Sequence, residues 1–396
     1  MGKSIDSDNL EKAEKSALTL PPLSLYVHIP WCVRKCPYCD FNSHQAGDKL
    51  PEENYIETLK HDLDSELPQV QGRKLQSIFI GGGTPSLFSA KSIDAILDYS
   101  KNTIGFADDI EITLEANPGT FEQQKFRDFY GVGVNRLSIG IQSFQAHHLN
   151  TLGRVHNSKE AEIAVTIAKK AGFNNINLDL MHGLPGQTLA EAEEDLRIAV
   201  SFAPQHISWY QLTIEPNTIF YRRPPLLPGE DLLFEIQQKG QYFLAKSGYH
   251  QYEISAFSQL GSQSKHNNNY WRFGDYLGIG AGAHGKNTDM INGAIWRRQK
   301  TRQPGNYLKS GRSIAGQQKA ITIDELPIEF MMNALRLVDG VPYDLFSKRT
   351  GLNIQQIENT VNKLIQQGLL IDSRTQLTTT LRGRSLLNSV LTEFAA

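Results

Sequence analysis

Cys32, Cys36 and Cys39 are the only cysteines in the 396-residue chain, and they fall within one short loop. Thiolates are soft, charged donors suited to iron–sulfur clusters. Spacings of four and three residues let such a loop reach three corners of a cubane. No fourth cysteine exists to close the remaining iron. An open metal position is where a substrate or cosubstrate binds, by the logic that separates catalytic from structural zinc sites. Three buried structural thiols are a second reading of these residues. A zinc site that recruits His28 or His44 is a third. Clustering on a loop just after an apolar strand favours one 4Fe–4S cluster. The amine and carboxylate of S-adenosylmethionine (SAM) are chemically suited to its open iron.

Further residues with chemical potential also follow apolar runs. Gly81-Gly82-Gly83-Thr84-Pro85 lets backbone approach a ligand without Cβ interference, and a tight βα turn is its plain alternative. Glu115 can hydrogen-bond a ribose or an amine, and Gln142 closes another run. Arg154 can meet a carboxylate as a charge-assisted pair. Asp179 sits among Ile176, Leu178, Leu180 and Met181, where an unpaired charge would be costly. A ligand hydroxyl or Arg154 is its expected partner. Farther on, His266-Asn267-Asn268-Asn269-Tyr270-Trp271 joins an imidazole, a common metal ligand, to two flat rings. Its plain alternative is a loop with a solvated histidine and a half-buried tryptophan. His250 and His284 are other candidate ligands. The Gly278–Gly285 segment is glycine-rich enough for close approach to a flat ligand or to SAM.

These residues must be held by a repeating framework. Apolar runs predict strands at Leu23–Ile29, Ser77–Ile80, Glu111–Glu115, Arg136–Ile141, Asn175–Leu180 and Ile207–Thr213. Amphipathic stretches predict helices at Pro51–Leu67, Ala90–Ser100, Phe121–Tyr130, Ser158–Ala171 and Leu189–Phe202. Six strand–helix units with right-handed crossovers give an α/β fold, an incomplete (β/α)6 barrel of the TIM type. Ligands bind at the carboxyl ends of such strands, which is where the candidate residues concentrate. A helix near Asp231–Ser247, a short strand at Tyr252–Phe257 and an Asn- and Gly-rich stretch, Lys265 to Lys286, follow. Helices at Ile328–Leu337, Asn353–Gln367 and Arg382–Phe394, with a hairpin near Leu369–Thr378, predict a smaller α-rich, winged-helix-like domain. The expected organisation is a disordered tail over 1–20, the partial barrel and its extension over 21–304, and the C-terminal domain over 305–396.

Composition sets the outer limits. The chain is 40% hydrophobic and 21% charged, with a formal net charge of −2. No basic excess marks a nucleic-acid binder. No apolar run reaches the ~18 residues that span a bilayer. Met1–Leu20 lacks the apolar core of a secretory signal, and Asp6 stands where a myristoylation pattern wants Ser or Thr.

The Cys-x3-Cys-x2-Cys loop, with aromatic Tyr38 before its last cysteine, resembles the radical SAM superfamily signature, and the likeness runs through at least Tyr26–Ser258. Tyr26-Val27-His28-Ile29-Pro30 and Gly81–Pro85 resemble the coproporphyrinogen III dehydrogenase-like group. Phe41 stands where the dehydrogenases carry a further cysteine, and the segment before Tyr26 is shorter than theirs. His266–Trp271 resembles the H-N-x-x-Y-W motif of the HemW family of heme chaperones. That resemblance implies a cytoplasmic protein with a 4Fe–4S cluster on Cys32, Cys36 and Cys39. It implies SAM contacts from Tyr26, Gly83, Thr84, Glu115, Gln142, Arg154 and Asp179, and heme contacts from His266, Tyr270 and Trp271. The implied partners are heme, heme-accepting proteins such as membrane respiratory enzymes, and an electron donor. The superfamily scheme, in which a reduced cluster passes one electron to the SAM sulfonium, gives a radical. Two rival readings stay open: an oxygen-independent coproporphyrinogen III dehydrogenase, and a binding module that keeps cluster and SAM for structure alone.

Overall fold

The computed structural model describes residues 18–119, 124–309 and 316–395. Strand β1 (Leu23–Ile29) leads into a short pair, β2 (Trp31–Cys32) and β3 (His44–Gln45). The chain continues through β4 (Leu75–Gly82), β5 (Phe106–Ala116), β6 (Arg136–Gln142), β7 (Ile176–His182) and β8 (His206–Gln211). Strands β1 and β4–β8 are the six expected from the apolar runs. They read as near-continuous hydrophobic segments because parallel strands are buried on both faces. In β1, Leu23, Leu25, Val27 and Ile29 are all buried.

Helices cover the crossovers: Glu52–Glu66, Ala90–Thr103, Phe126–Gly131, Ser158–Lys170 and Leu189–Ser201. Two begin with reciprocal capping boxes, Asn157 with Glu160 and Thr188 with Glu191. Each box satisfies two orphan backbone donors and so fixes the helix start. Residues 121–123 of the expected Phe121–Tyr130 helix lie outside the described residues.

The sheet is larger than six strands. The chain adds β9 (His250–Glu253), β10 (Ala256–Ser258), β11 (Asp275–Ile279), β12 (His284–Asp289), β13 (Ala294–Lys300) and β14 (Gly316–Ala320). Their order is β14-β13-β12-β11-β1-β4-β5-β6-β7-β8-β10-β9. Strand β11 pairs parallel with β1, so seven parallel strands form the centre, and antiparallel strands extend both edges. The expected strand at Tyr252–Phe257 is a hairpin of β9 and β10. The Asn- and Gly-rich stretch holds the helix Lys265–Trp271, β11 and the start of β12. Gly278 is required there, because a Cβ would lie 1.9 Å from the His284 carbonyl oxygen of the adjoining strand.

A second apolar core lies in the C-terminal third. It joins Phe330, Phe346, Leu364 and Val390 to Tyr252, Phe273 and Ile295 of the barrel side. The helices are Leu326–Ala334, Tyr343–Thr350, Gln355–Gln366, Leu381–Ser385 and Leu387–Thr392. The expected hairpin is an isolated bridge, Leu370 to Thr379, and β15 (Val341–Pro342) pairs with β16 (Gln376–Leu377). Because β14 pairs with β13, the large sheet continues past residue 304, and this second core begins near Ile321. The first 17 residues of the expected tail lie outside the described residues. Leu18 is buried in the second core, and the Thr19 N–H donates to the Lys348 carbonyl at 2.8 Å.

Candidate functional site

The cysteine loop leaves β1 and is closed at its base. Trp31 and Cys32 pair with His44 and Gln45, and the Ala46 N–H donates to the Cys32 carbonyl at 2.8 Å. Trp31 anchors this base against the rings of Tyr55 and Phe88. Within the loop, the Cys39 N–H reaches the Cys36 carbonyl at 3.2 Å, and the Lys35 ammonium caps the carbonyls of Phe41 and Ser43. The three cysteines are free and half-buried, and they line one cavity of about 320 Å³. Burial pushes the Cys32 thiol up to about 11 and raises that of Cys39. Cations bound between them would offset that cost and favour the thiolates.

Strand ends from β4 to β8 face the same cavity, which Gly83, Thr84, Glu115, Gln142, Arg154 and Asp179 all line. A flat sheet would hold these ends in a row. Their convergence is the curvature of a partial barrel.

Gly82 has a φ of +116°, and its N–H donates to Glu115 Oε2 at 3.0 Å. A Cβ on Gly83 would lie 2.5 Å from the Trp31 carbonyl oxygen. The glycine there is therefore required by the cysteine loop itself. Thr84 follows with its N–H on that same carbonyl, at 2.7 Å.

A polar chain crosses the cavity. Asn117 Nδ2 donates to Thr84 Oγ1 at 3.0 Å. Arg154 Nη2 donates to Asn117 Oδ1 at 2.6 Å and to the Gly140 carbonyl at 2.8 Å, and Nη1 lies 3.7 Å from Cys36 Sγ. Gly153, at a φ of +66°, brings this segment onto Pro37 of the cysteine loop. Gln142 adopts a φ of +68°, sparsely populated for a residue with a side chain, where the β6–β7 register shifts. The Tyr210 hydroxyl holds its Oε1 at 2.8 Å.

Asp179 does not pair with Arg154. Its carboxylate accepts from Ser138 Oγ and Asn177 Nδ2, both at 2.8 Å, so the acid in an apolar strand is satisfied by its sheet neighbours. Burial raises its pKa against those hydrogen bonds. Burial pushes the Glu115 carboxyl up to about 7, with the Asp179 charge adding to the effect and the Gly82 N–H opposing it. Asn117 stands in Glu115-Ala116-Asn117-Pro118, one of the segments expected at the strand ends, whereas nothing in the sequence singles out Ser138, Asn177 and Tyr210. Their one local signal is a polar type at the carboxyl end of an apolar run or one strand away from it.

A second cavity, about 560 Å³, adjoins the first and shares Asp40, Phe41, Gly82 and Glu115 with it. Tyr26 faces this cavity and not the first. Its hydroxyl is 2.9 Å from His28 Nδ1, and His28 Nε2 reaches the Asn42 carbonyl at 2.9 Å. Neither His28 nor His44 lines the cysteine cavity, which leaves the zinc reading without its recruited ligand.

The structure does not present His266 to a porphyrin. The ring is 1% exposed, with Nδ1 2.9 Å from Ser77 Oγ and Nε2 2.7 Å from the Tyr270 hydroxyl. Residues 265–271 form a helix capped by Ser264. The i,i+4 spacing therefore stacks His266 and Tyr270 on one face. Trp271 turns away and packs against the second core beneath the Arg336 guanidinium, 4.4 Å from its ring centroid. Tyr270 alone of the three lines the second cavity, together with Tyr276, His284 and Arg302. His284 reaches solvent there, and His250 lines neither cavity. Burial, then the charges of Arg297 and Arg302, lower the pKa of His284.

Three free cysteines on the first βα loop of a partial parallel barrel define a radical SAM protein. Residues 26–199 match the radical SAM superfamily, and residues 321–386 match the HemN C-terminal domain. The chain is 52% identical over 379 residues to the heme chaperone HemW of Haemophilus influenzae, covering 95% of this chain and 98% of that one. It is 49% identical to HemW of Escherichia coli, covering 95% and 99%, and 33% identical to HemW of Bacillus subtilis, covering 94% and 98%. The chain belongs to the HemW family within the radical SAM superfamily. Among solved structures, coproporphyrinogen III oxidase (HemN) from Escherichia coli, a radical SAM enzyme, matches with a TM-score of 0.80 at 22% identity, over 95% of this chain and 91% of that one. That likeness carries the fold. Radical SAM membership implies a 4Fe–4S cluster and SAM.

Proposed function

We propose that this protein is a heme chaperone that holds a 4Fe–4S cluster and SAM in the first cavity and carries heme beside it. The convergence of Cys32, Cys36 and Cys39 with the strand-end polar residues on one cavity supports this reading most directly. The donor set suits the cluster: three thiols from one loop, with no other cysteine in the chain. Cluster and SAM together supply one-electron reductive chemistry when bound. The chain's own residues bind and orient. Arg154 offers positive charge beside Cys36 and has the geometry to meet a carboxylate. Glu115, Gln142 and Asp179 offer acceptors, Thr84 a hydroxyl, and Gly83 holds the cysteine loop against β4.

Heme enters as cargo, because the curated relatives carry the name heme chaperone. The second cavity suits a porphyrin better than His266 does, with Tyr26, Tyr270 and Tyr276 as flat walls, His284 as imidazole donor and Arg302 for propionates. Tyr26 then belongs with the porphyrin rather than with SAM. We read residues 21 to about 320 as the barrel unit and the rest as the C-terminal unit. Heme-accepting proteins and an electron donor are the partners of this reading, and its setting is the cytoplasm. Among the described residues no helix is long and apolar enough to cross a membrane.

Anaerobic reconstitution tests the core of the proposal. The protein should take up about four iron and four sulfide per chain, and Cys36→Ala should abolish cluster absorption. With SAM and dithionite it should leave coproporphyrinogen III unconverted while binding heme. Conversion to protoporphyrinogen IX would replace the chaperone reading with the dehydrogenase.

A further inference from the structure

Two adjacent histidines, His147 and His148, lie on the short helix Ala146–Thr151, between the end of β6 and Arg154. Consecutive helical residues diverge by about 100° around the axis. Here the ring centroids lie 4.0 Å apart, and both imidazoles turn toward Glu191 on the first turn of helix Leu189–Ser201. His147 Nε2 is 3.1 Å from Glu191 Oε1, and His148 Nε2 is 3.6 Å from Oε2. His148 is 1% exposed, and neither of its ring nitrogens makes a hydrogen bond. A buried polar group without a hydrogen bond is destabilising, and the one contact to His148 Nε2 is the long one to Glu191.

We propose that His147, His148 and Glu191 form a mononuclear site for a divalent first-row transition metal of the zinc type, separate from the cysteine cavity. Two imidazoles and a carboxylate are a recurring three-ligand set for such ions, with water in the fourth position. Two ligands of one tetrahedral ion with bonds of about 2.0–2.1 Å stand roughly 3.4 Å apart. The two nitrogen–oxygen separations bracket that spacing, and the donor atoms of all three residues lie within 4.8 Å of one another. An ion there gives the buried His148 Nε2 a bonded partner in place of a 3.6 Å contact. The carboxylate is already oriented, because Thr188 N and Oγ1 both donate to Glu191 Oε2 at 2.8 Å. Outer hydrogen bonds of this kind fix metal ligands. His147 is 60% exposed, which leaves an entry path and room for the water.

The site's position gives it a structural role. One turn along the same helix, Asp195 accepts from Ser143 Oγ and the Phe144 N–H, both at 2.7 Å. The His148 carbonyl accepts from the Leu152 N–H at 2.9 Å and the Leu149 carbonyl from the Arg154 N–H at 3.0 Å. A metal at Glu191 therefore clamps the segment that ends in Arg154, the guanidinium beside Cys36.

The test uses full-length, cluster-loaded protein, so that iron already occupies Cys32, Cys36 and Cys39 and they cannot capture zinc. After incubation with zinc chloride and desalting, elemental analysis should give one zinc per chain, and zinc should raise the unfolding temperature. His147→Ala removes a solvent-facing ring. Glu191→Gln keeps a residue competent for the capping box. Each should weaken zinc binding by at least about tenfold and abolish the thermal shift while leaving iron content unchanged. Wild-type protein that takes up no zinc, or wild-type uptake by either variant, overturns the proposal.

Discussion

Arg154 Nη1 lies 3.7 Å from Cys36 Sγ, while Nη2 of the same guanidinium is tied to Asn117 Oδ1 and the Gly140 carbonyl. One side chain thus joins β5, β6 and the cysteine loop. Hydrogen bonds to charged groups contribute about 1.5–3 kcal/mol, or roughly 10- to 100-fold in affinity. Arg154→Met should weaken SAM binding to the cluster-loaded protein by about that factor. Arg154→Lys should recover part of it, since a point charge replaces the planar fork. Titration of SAM against the reduced cluster's spectrum measures both. Wild-type affinity in the Met variant would remove Arg154 from the site.

Gly83→Ala probes the loop rather than the ligand. Its Cβ would meet the Trp31 carbonyl oxygen at 2.5 Å, backbone against backbone, so the loop base must shift and strain the Thr84 N–H bond to that same carbonyl. Overpacking of this kind costs about 1–3 kcal/mol. Denaturant unfolding should register that loss, and cluster reconstitution should fall with it. An unchanged midpoint with normal iron content would refute the close contact.

The cysteine loop and six of the seven central strands are legible because their signals are local: thiol spacing in one case, apolar runs in the other. What the sequence hid depends on partners far along the chain. His266 reads as a free imidazole until Ser77, 189 residues earlier, takes its Nδ1. The Asn117–Arg154 bond spans 37 residues, so the position of Asn117 after a strand does not by itself reveal its partner. Strand β11 was missed because Gly278 breaks its pattern, and only the approach of His284 explains that glycine. Asp179 was rightly read as needing a partner, but the partners came from the sheet rather than from Arg154.

Glu115 makes stability depend on pH. Its carboxyl is pushed up to about 7 by burial and then by the Asp179 charge. The native state therefore binds this proton more tightly than the unfolded chain does. Stability from the proton is present at low pH and is lost as pH rises from the ordinary carboxylate range to about 7. Asp195, also pushed up to about 7 by burial, titrates in the same window, so the informative quantity is a difference between variants. Urea unfolding of wild type and Glu115→Gln at intervals from pH 5.5 to 8 should show wild type losing stability relative to the variant as pH rises. A constant difference across that range would mean that the proton does not sit on Glu115.

Of the three candidate heme histidines, His250 lines neither cavity, and the other two separate cleanly by their surroundings. His284 reaches solvent at the second cavity, whereas His266 is 1% exposed with both nitrogens engaged by Ser77 and Tyr270. His284→Ala should weaken heme binding by tenfold or more, on the order of 1.4 kcal/mol, and shift the Soret band away from histidine ligation, with thermal stability little changed. His266→Ala should behave the other way. It takes one of two partners from the buried Ser77 hydroxyl, which keeps Ser24 Oγ at 2.8 Å, removes the Tyr270 hydroxyl's imidazole partner and leaves a cavity where the ring was, a cost of about 1–3 kcal/mol. Its unfolding temperature should therefore fall, while the Soret spectrum of its heme complex keeps the wild-type position. Histidine ligation that survives His284→Ala and disappears in a folded His266→Ala would return the ligand to the Lys265–Trp271 helix, which would then have to open to release that ring.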